Sequence, residues 1–106
     1  MNIKVPQELQ IAGKTYTIVF VKHLIRDDGD RGKIYWHKQQ IQIGDDLEGE
    51  LRDSTLFHEI IHCFDEHFCG RDNISEPITC GLAEGLFQLF KNLGITLDWS
   101  EIKEEK

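Results

Sequence analysis

The spacing of apolar residues changes once along this chain, near residue 45. Up to that point, short runs rich in β-branched and aromatic residues are separated by turn residues, as in segments 9–21 and 40–44. Beyond it, apolar residues recur every three or four positions, which is typical of amphipathic helices. Strands followed by helices predict a single α+β domain over residues 1–106. We expect a small, mainly antiparallel sheet of about three or four strands, followed by two packed helices.

Turn and capping residues set the predicted boundaries. Asp53 or Ser54 can cap the first helix, and Gly70 follows it as a terminating glycine. Ser75 is a good N-cap for the second helix, in which Pro77 occupies the first turn. The tail is mostly charged and is expected to be a frayed helix or disordered. The predicted segments are a strand region at about 1–45, a first helix at about 54–69, a second helix at about 76–92 and a charged tail at 98–106.

Two hairpins are expected within the strand region. The turn of the first is Ala12-Gly13-Lys14, inside a run that is otherwise rich in strand-forming residues. The second hairpin is centred on Lys38-Gln39. Its later strand alternates isoleucine with glutamine, so one side is expected to face a core and the other to face water. A polar loop with two glycines, at 26–32, separates the hairpins.

The acidic composition argues against several classes of partner. The formal net charge is −7, and no stripe of Lys or Arg is present, so neither nucleic acid nor an anionic membrane is an expected partner. The segment "MNIKVPQELQ" lacks the apolar core of a signal peptide, and a cytoplasmic protein is expected. The three cysteines, Cys63, Cys69 and Cys80, lack CxxC spacing and are expected to be reduced and mostly buried.

The segment "STLFHEIIHCFDEHF" places polar residues on the first predicted helix. At about 100° per residue, its apolar side chains share one arc, which is the expected core face. His58 and His62 lie about 40° apart on a different face, and Glu59 lies about 100° round the helix from His58. The residues of the expected core face are Phe57, Ile60, Ile61, Phe64 and Phe68.

The His-Glu-x-x-His spacing predicts a zinc site with a general base beside it. Imidazoles at positions i and i+4 can both bind one Zn²⁺, here through His58 and His62. Zinc lowers the pKa of a bound water, and Glu59 can accept the proton of that water. The hydroxide formed can attack a carbonyl group. The alternative is a pair of solvated surface histidines with a glutamate between them by chance.

A catalytic zinc site needs a third protein ligand and an open fourth position. His67 lies about 140° from His62 on the same helix and cannot reach the same ion. On the second helix, Glu76 lies at the border of the apolar face and is the favoured ligand, whereas Glu84 lies on the opposite face and is the alternative. Glu76 could instead be an acid that stabilises a helix N-terminus. Asp65 is a candidate for orienting a ligand imidazole through its other nitrogen, with a capping or salt-bridge role as the alternative.

The residues "TLFHEIIHCFD" (55–65), followed by "EPITCGLAEGL" (76–86), resemble the small gluzincin-type zinc metallopeptidases. More narrowly, they are similar to compact phage and bacterial proteins related to the ImmA/IrrE peptidase family and to the single-domain minigluzincins. In that family a His-Glu-x-x-His helix precedes a helix with the pattern Glu-x-x-Ala-x-x-Phe-Ala-x-x-Leu. The present chain differs at Thr79 and Leu82. The residues at the pattern positions are Glu76, Thr79, Leu82, Ala83 and Leu86.

The resemblance implies a zincin-like core and a zinc metalloendopeptidase that hydrolyses a protein or peptide substrate. It implies that His58, His62 and Glu76 bind zinc and that Glu59 is the general base. The alternative function is a zinc-binding interaction or regulatory module with little or no hydrolytic activity. The carboxylate at position 59 favours the enzyme, because an inert zinc module does not need it.

In such peptidases, the strand before the metal-binding helix often lines the cleft and pairs with an extended substrate. The candidate substrate strand consists of Gln40, Ile41, Gln42 and Ile43. Donors that could stabilise the transition state are available at Tyr35, His37 and His23, and the sequence does not choose among them. A homodimer formed through a sheet edge is compatible with so small a core.

Overall fold

The structure, a computed structural model, describes residues 1–22, 24 and 30–105, which form five strands, two helices and then two short strands. Strands precede the helices as predicted, but there are more than the three or four expected, and the two strands after the helices were not expected. The α+β class is therefore confirmed, while most of the predicted loop at 26–32 and the candidate donor His23 lie outside the described residues. The elements are β1 (Asn2–Lys4), β2 (Glu8–Ile11), β3 (Lys14–Val21), β4 (Gly32–Tyr35), β5 (Gln40–Gly44), α1 (Gly49–Phe68), α2 (Glu76–Asn92), β6 (Thr96–Asp98) and β7 (Lys103–Glu104).

The main sheet is mixed, which corrects the prediction of a mainly antiparallel sheet. Its strand order is β2-β3-β5-β4, and β7 also pairs with β3. The hairpins β2–β3 and β4–β5 are antiparallel, but β3 pairs in parallel with β5 and with β7. A separate parallel pair joins β1 to β6. The parallel pairs connect strands that are distant along the chain, so local hydrophobic patterns could not predict them.

Both predicted hairpins are present. Ile11 pairs with Lys14, so the turn between them contains two residues, Ala12 and Gly13, with φ of 54° and 76°. Positive φ at both positions matches the turn twist that antiparallel strands prefer. In the second hairpin, a 3₁₀ turn leads into Gln39, which has φ of 50°. Turn chemistry therefore determines the register of both antiparallel pairs.

Helix α1 begins at Gly49, earlier than predicted, and ends where Gly70 adopts φ of 83°. Neither predicted cap acts as one. Asp53 accepts a hydrogen bond from the indole N–H of Trp99 at 2.7 Å, and the Ser54 hydroxyl donates to a carbonyl of the preceding turn. The polar residues before position 54 thus form the solvated first turns of the helix. Helix α2 begins at Glu76 as predicted, and the Ser75 hydroxyl accepts the N–H of Ile78.

The predicted tail is ordered in its described part, 98–105, which corrects the expectation of a frayed helix or disorder. Segments of it belong to β6 and β7. Ile102 is buried in the main core, and the Trp99 ring packs against Phe20 with centroids 5.7 Å apart. These two apolar side chains, together with the pairing of β7 with β3, hold an otherwise charged segment against the sheet.

The buried side of α1 differs from the predicted core face. Phe57 and Ile61 pack against α2, and the Phe57 ring meets Phe90 edge to face at 4.9 Å. Phe64 and Phe68 are exposed, Phe68 by 64%. The helix lies between the sheet and α2, so it also buries residues outside the apolar arc. Those residues are Ser54, Thr55, Leu56, Glu59, Cys63 and Asp65.

Helix α2 buries only a narrow face, at Thr79 and Ala83, and leaves Leu82 and Leu89 about half exposed. Of the cysteines, Cys63 is buried as expected, but Cys69 and Cys80 are exposed. Within the described ranges, no helix combines the length and the apolar character needed to cross a bilayer.

Candidate metal centre

His58 and His62 lie side by side on the face of α1 that points towards the start of α2. Their Nε2 atoms are 3.1 Å apart, and their rings meet nearly at right angles with centroids 4.8 Å apart. The helical spacing of four residues produces this arrangement directly. Burial of His62 and its proximity to His58 lower the pKa of its imidazole, so the ring is neutral and has a nitrogen lone pair for a metal.

Glu76 completes a compact set of three donors. Ser75 and Pro77 start α2 at this residue, and its carboxylate lies across both imidazoles. Oε1 is 2.7 Å from Nε2 of His58, and Oε2 is 3.3 Å from Nε2 of His62. Donors around a tetrahedral zinc at ~2.0–2.1 Å lie roughly 3.3 Å from one another. Two imidazoles and a carboxylate at these separations fit Zn²⁺ in chemistry and in spacing.

The other two candidate acids, Glu84 and Asp65, do not contact the imidazoles as Glu76 does. Glu84 lies two turns further along α2 on the wall of the same cavity, and no hydrogen bond or ion pair joins it to either imidazole. Asp65 is buried one turn beyond His62, but its Oδ1 accepts the backbone N–H of Asn73 at 3.1 Å. Among the described residues, Asp65 makes no hydrogen bond to an imidazole. Its observed role is to hold the loop between the helices.

Glu59 is buried beside this set, with 6% of its surface exposed. It has no hydrogen bond or ion pair within the described residues, and it lines the same cavity as His58 and Glu76. Burial and the nearby carboxylates of Glu76 and Asp30 raise its pKa to about 8. A buried carboxyl group without a partner is costly, and a cation next to it would remove much of that cost.

The approach of β4 to this carboxyl group depends on a glycine. A Cβ at Gly32 would lie 2.7 Å from Cγ2 of Thr55 and 3.3 Å from Cγ of Glu59. A larger residue would therefore push the strand away from α1. The missing side chain lets β4 form one wall of the cavity that contains the base candidate.

The raised pKa of Glu59 predicts how the metal-free protein responds to pH. The folded state holds this proton up to about pH 8, whereas the unfolded chain releases it near the ordinary value of 4.5. Protonated Glu59 therefore contributes stability at low pH that is lost as the pH rises to about 8. We expect chelator-treated protein to lose up to ~1.4 kcal/mol per pH unit in this window. Urea unfolding between about pH 5 and about pH 8 measures this slope, which Glu59→Gln should flatten. An unchanged slope in the variant would contradict the assignment.

Cys80 lies next to the two histidines and Glu76, which the sequence did not predict. Its Sγ lies 3.9 Å from Nδ1 of His58 and 3.9 Å from Oε1 of Glu76. These three residues also form a group compact enough for an ion, but His62 lies nearer to the carboxylate, at 3.3 Å. The two histidines and Glu76 are therefore the tighter of the two groups, and we refer to them as the candidate donor set. The spacing of four residues between Glu76 and Cys80 on one helix face was the available signal.

His67 does not belong to the donor set, as expected, but it is not simply solvated. Its Nε2 is hydrogen-bonded to the Tyr16 hydroxyl, and its ring lies 6.3 Å from that of Trp36. Neither Tyr35 nor His37 lines the cavities around the donor set. Among the described residues, the cationic side chains that line them are Arg31, Lys33 and, beside His62, Arg71, none of which the sequence singled out.

The candidate substrate strand requires a correction. Gln40, Ile41, Gln42 and Ile43 belong to β5, which lies between β3 and β4 and has no free edge. Gln42 is buried rather than solvated, and its amide donates to Gln40 and to Glu105. The edge strand next to the donor set is β4, whose residues Gly32 and Ile34 line the cavity together with Glu59. Nothing in the local pattern of β5 could reveal that a second strand covers it.

No family model matches this sequence, and neither a curated protein nor a solved structure matches it significantly.

Proposed function

We propose that this protein is a zinc-dependent metallopeptidase with a minimal zincin-like fold. The observation that carries the proposal is the convergence of three possible metal donors beside a buried carboxyl group that has no hydrogen bond or ion pair in the described part of the chain. His58, His62 and Glu76 have the chemistry and spacing of a zinc site, and Glu59 follows the first donor directly. Two histidines and one carboxylate leave a coordination position open, which is typical of catalytic zinc rather than structural zinc.

Each side chain has a distinct task in this proposal. Zinc, when bound, supplies a Lewis acid and lowers the pKa of water. His58 and His62 offer imidazole nitrogens, and Glu76 offers a carboxylate oxygen. Glu59 takes a proton from the attacking water and passes it to the nitrogen of the leaving amine, which is general acid–base catalysis. Its burial keeps bulk water from competing for that proton.

The edge of β4 is the proposed site for the substrate main chain. The N–H of Gly44 donates to the carbonyl of Arg31 at 2.8 Å, which makes these residues a hydrogen-bonded pair. Because such pairs alternate in an antiparallel ladder, the backbone groups of Gly32 and Ile34 point away from β5. Within the described residues, no strand pairs with this outer edge. An extended peptide could add a strand there and pass close to Glu59.

The first test combines metal analysis with hydrolysis. We expect the purified protein to bind close to one equivalent of Zn²⁺ and to cleave members of a library of proteome-derived peptides, monitored by mass spectrometry. A chelator should abolish cleavage, and added zinc should restore it, because the Lewis acid and the activated water depend on the ion. Zinc binding without any cleavage would favour the regulatory module. Absence of zinc binding would refute both functions.

A further inference from the structure

Trp36 is a large aromatic side chain that is both exposed and held in place. It directly follows the edge strand β4, and 45% of its surface is exposed. Its ring meets Tyr16 and His67 edge to face, each with centroids 6.3 Å apart. Tyr16 is fully buried, so it anchors this contact in the core. The remaining part of the indole lines a cavity of about 380 Å³ beside His62.

The charges around this cavity are unbalanced. Glu66 and Arg71 neutralise each other through paired contacts, including one of 2.8 Å from Nε to Oε2. Asp65 is held by the N–H of Asn73. Asp72 is exposed and makes no hydrogen bond or ion pair within the described residues, and its charge acts on Arg71 from a greater distance than that of Glu66. Its carboxylate lines both this cavity and the cleft that contains the metal donors. Three carboxylates and one guanidinium line the cavity together with the indole ring, so its described lining carries a net negative charge.

We propose that this cavity is a subsite for a lysine or arginine side chain of the peptide substrate. The cationic group would lie over the Trp36 ring and against the Asp72 carboxylate, because tryptophan is the best aromatic partner for a cation. The proposal rests on the proposed function, since a peptide paired with β4 would run past Trp36. The net charge of −7 also favours cationic substrates over acidic ones.

The test compares two peptides that differ only in charge. One carries lysine at its centre, and the other carries norleucine, which has nearly the same shape without the ammonium group. Binding is measured by fluorescence anisotropy of the labelled peptides, with zinc-loaded Glu59→Gln protein so that no cleavage occurs. We expect the lysine peptide to bind about tenfold more tightly, because cation–π and ionic contacts are both available. High salt should reduce this preference.

Substitutions in the cavity test whether the preference for the lysine peptide arises there. Trp36→Leu and Asp72→Asn should each reduce the preference for lysine severalfold, while Trp36→Phe should keep part of it because a ring remains. Asparagine suits position 72, where φ is 55°. Trp99→Phe is the matched control and should leave the preference unchanged, because Trp99 packs against Phe20 away from the cleft.

Each result decides the proposal. Equal binding of the two peptides, or no measurable binding of either at millimolar concentration, would overturn the subsite. A lysine preference that survives both Trp36→Leu and Asp72→Asn would place recognition elsewhere and would also overturn it. The zinc content of the same samples is read separately. Zinc binding without a lysine preference removes only the subsite, whereas a lysine preference without zinc binding removes the metallopeptidase and leaves the cavity as a binding site for a cationic peptide side chain.

Discussion

Zinc-loaded Glu59→Gln protein is expected to keep its metal and to lose about 10²–10⁴-fold in turnover. Glutamine has the same shape, so it fits the buried position of Glu59 without repacking. It cannot accept a proton from water, so the general base is lost while the donor set stays intact. Initial rates on a cleaved peptide, together with metal analysis of the same sample, give both quantities.

A matched control strengthens this result. Glu84 is an exposed carboxylate that lines the same cavity, and Glu84→Gln should retain turnover within a few-fold, because no hydrogen bond or ion pair within the described residues joins it to the donor set. Full activity of Glu59→Gln would rule out the proposed base. Loss of zinc from that variant would show instead that the carboxyl group serves the metal.

Glu76→Gln is expected to lower zinc affinity by at least about 100-fold. Removing the partners of metal ligands already costs about 10–100-fold, and removing a ligand costs more. The side chain of Glu76 is 61% exposed, so the fold should be unaffected. Competition with a chromogenic chelator measures the affinity, and urea unfolding of the metal-free protein checks the fold.

Two variants serve as comparisons for Glu76→Gln. Glu84→Gln removes the other acid of α2 that lines the cavity, and it should leave zinc affinity unchanged. Cys80→Ser removes the thiol 3.9 Å from His58 Nδ1, and it should have a much smaller effect than Glu76→Gln. Unchanged affinity in Glu76→Gln, together with a large loss in Cys80→Ser, would replace the carboxylate by the thiol in the donor set.

The sequence predicts the strands around the cleft but not which of them forms its free edge. The alternation of isoleucine and glutamine correctly indicates a strand at β5, but a strand pattern is the same at an edge and in the interior of a sheet. Only the pairing of β4 with β5 decides that the free edge belongs to Gly32 and Ile34. The position of Trp36 beside His62 could not be predicted from the sequence either, because it depends on how the β4–β5 hairpin packs against α1.

In the helices, too, the sequence predicts some buried positions correctly and others wrongly. The arc of apolar residues on α1 predicts burial of Phe57 and Ile61 correctly, but it also includes Phe64 and Phe68, which are exposed. Glu59 is polar in sequence and buried in the fold, because β4 approaches it closely at Gly32. A helical wheel ranks faces by composition and cannot show which neighbour covers them.

The amino-acid sequence alone determined the features that depend on local backbone chemistry. These are the two-residue turn at Ala12 and Gly13, the capped start of α2 at Ser75, and the histidine pair at i and i+4 on one helix face. Hydrogen bonds and steric limits within a few residues are sufficient for each of them. The tertiary structure decided the parallel strand pairs, the exposed edge at β4, the closure of Glu76 over both imidazoles and the burial of Glu59. Each of these depends on contacts between segments that are distant along the chain, whose formation is governed by packing of the whole core.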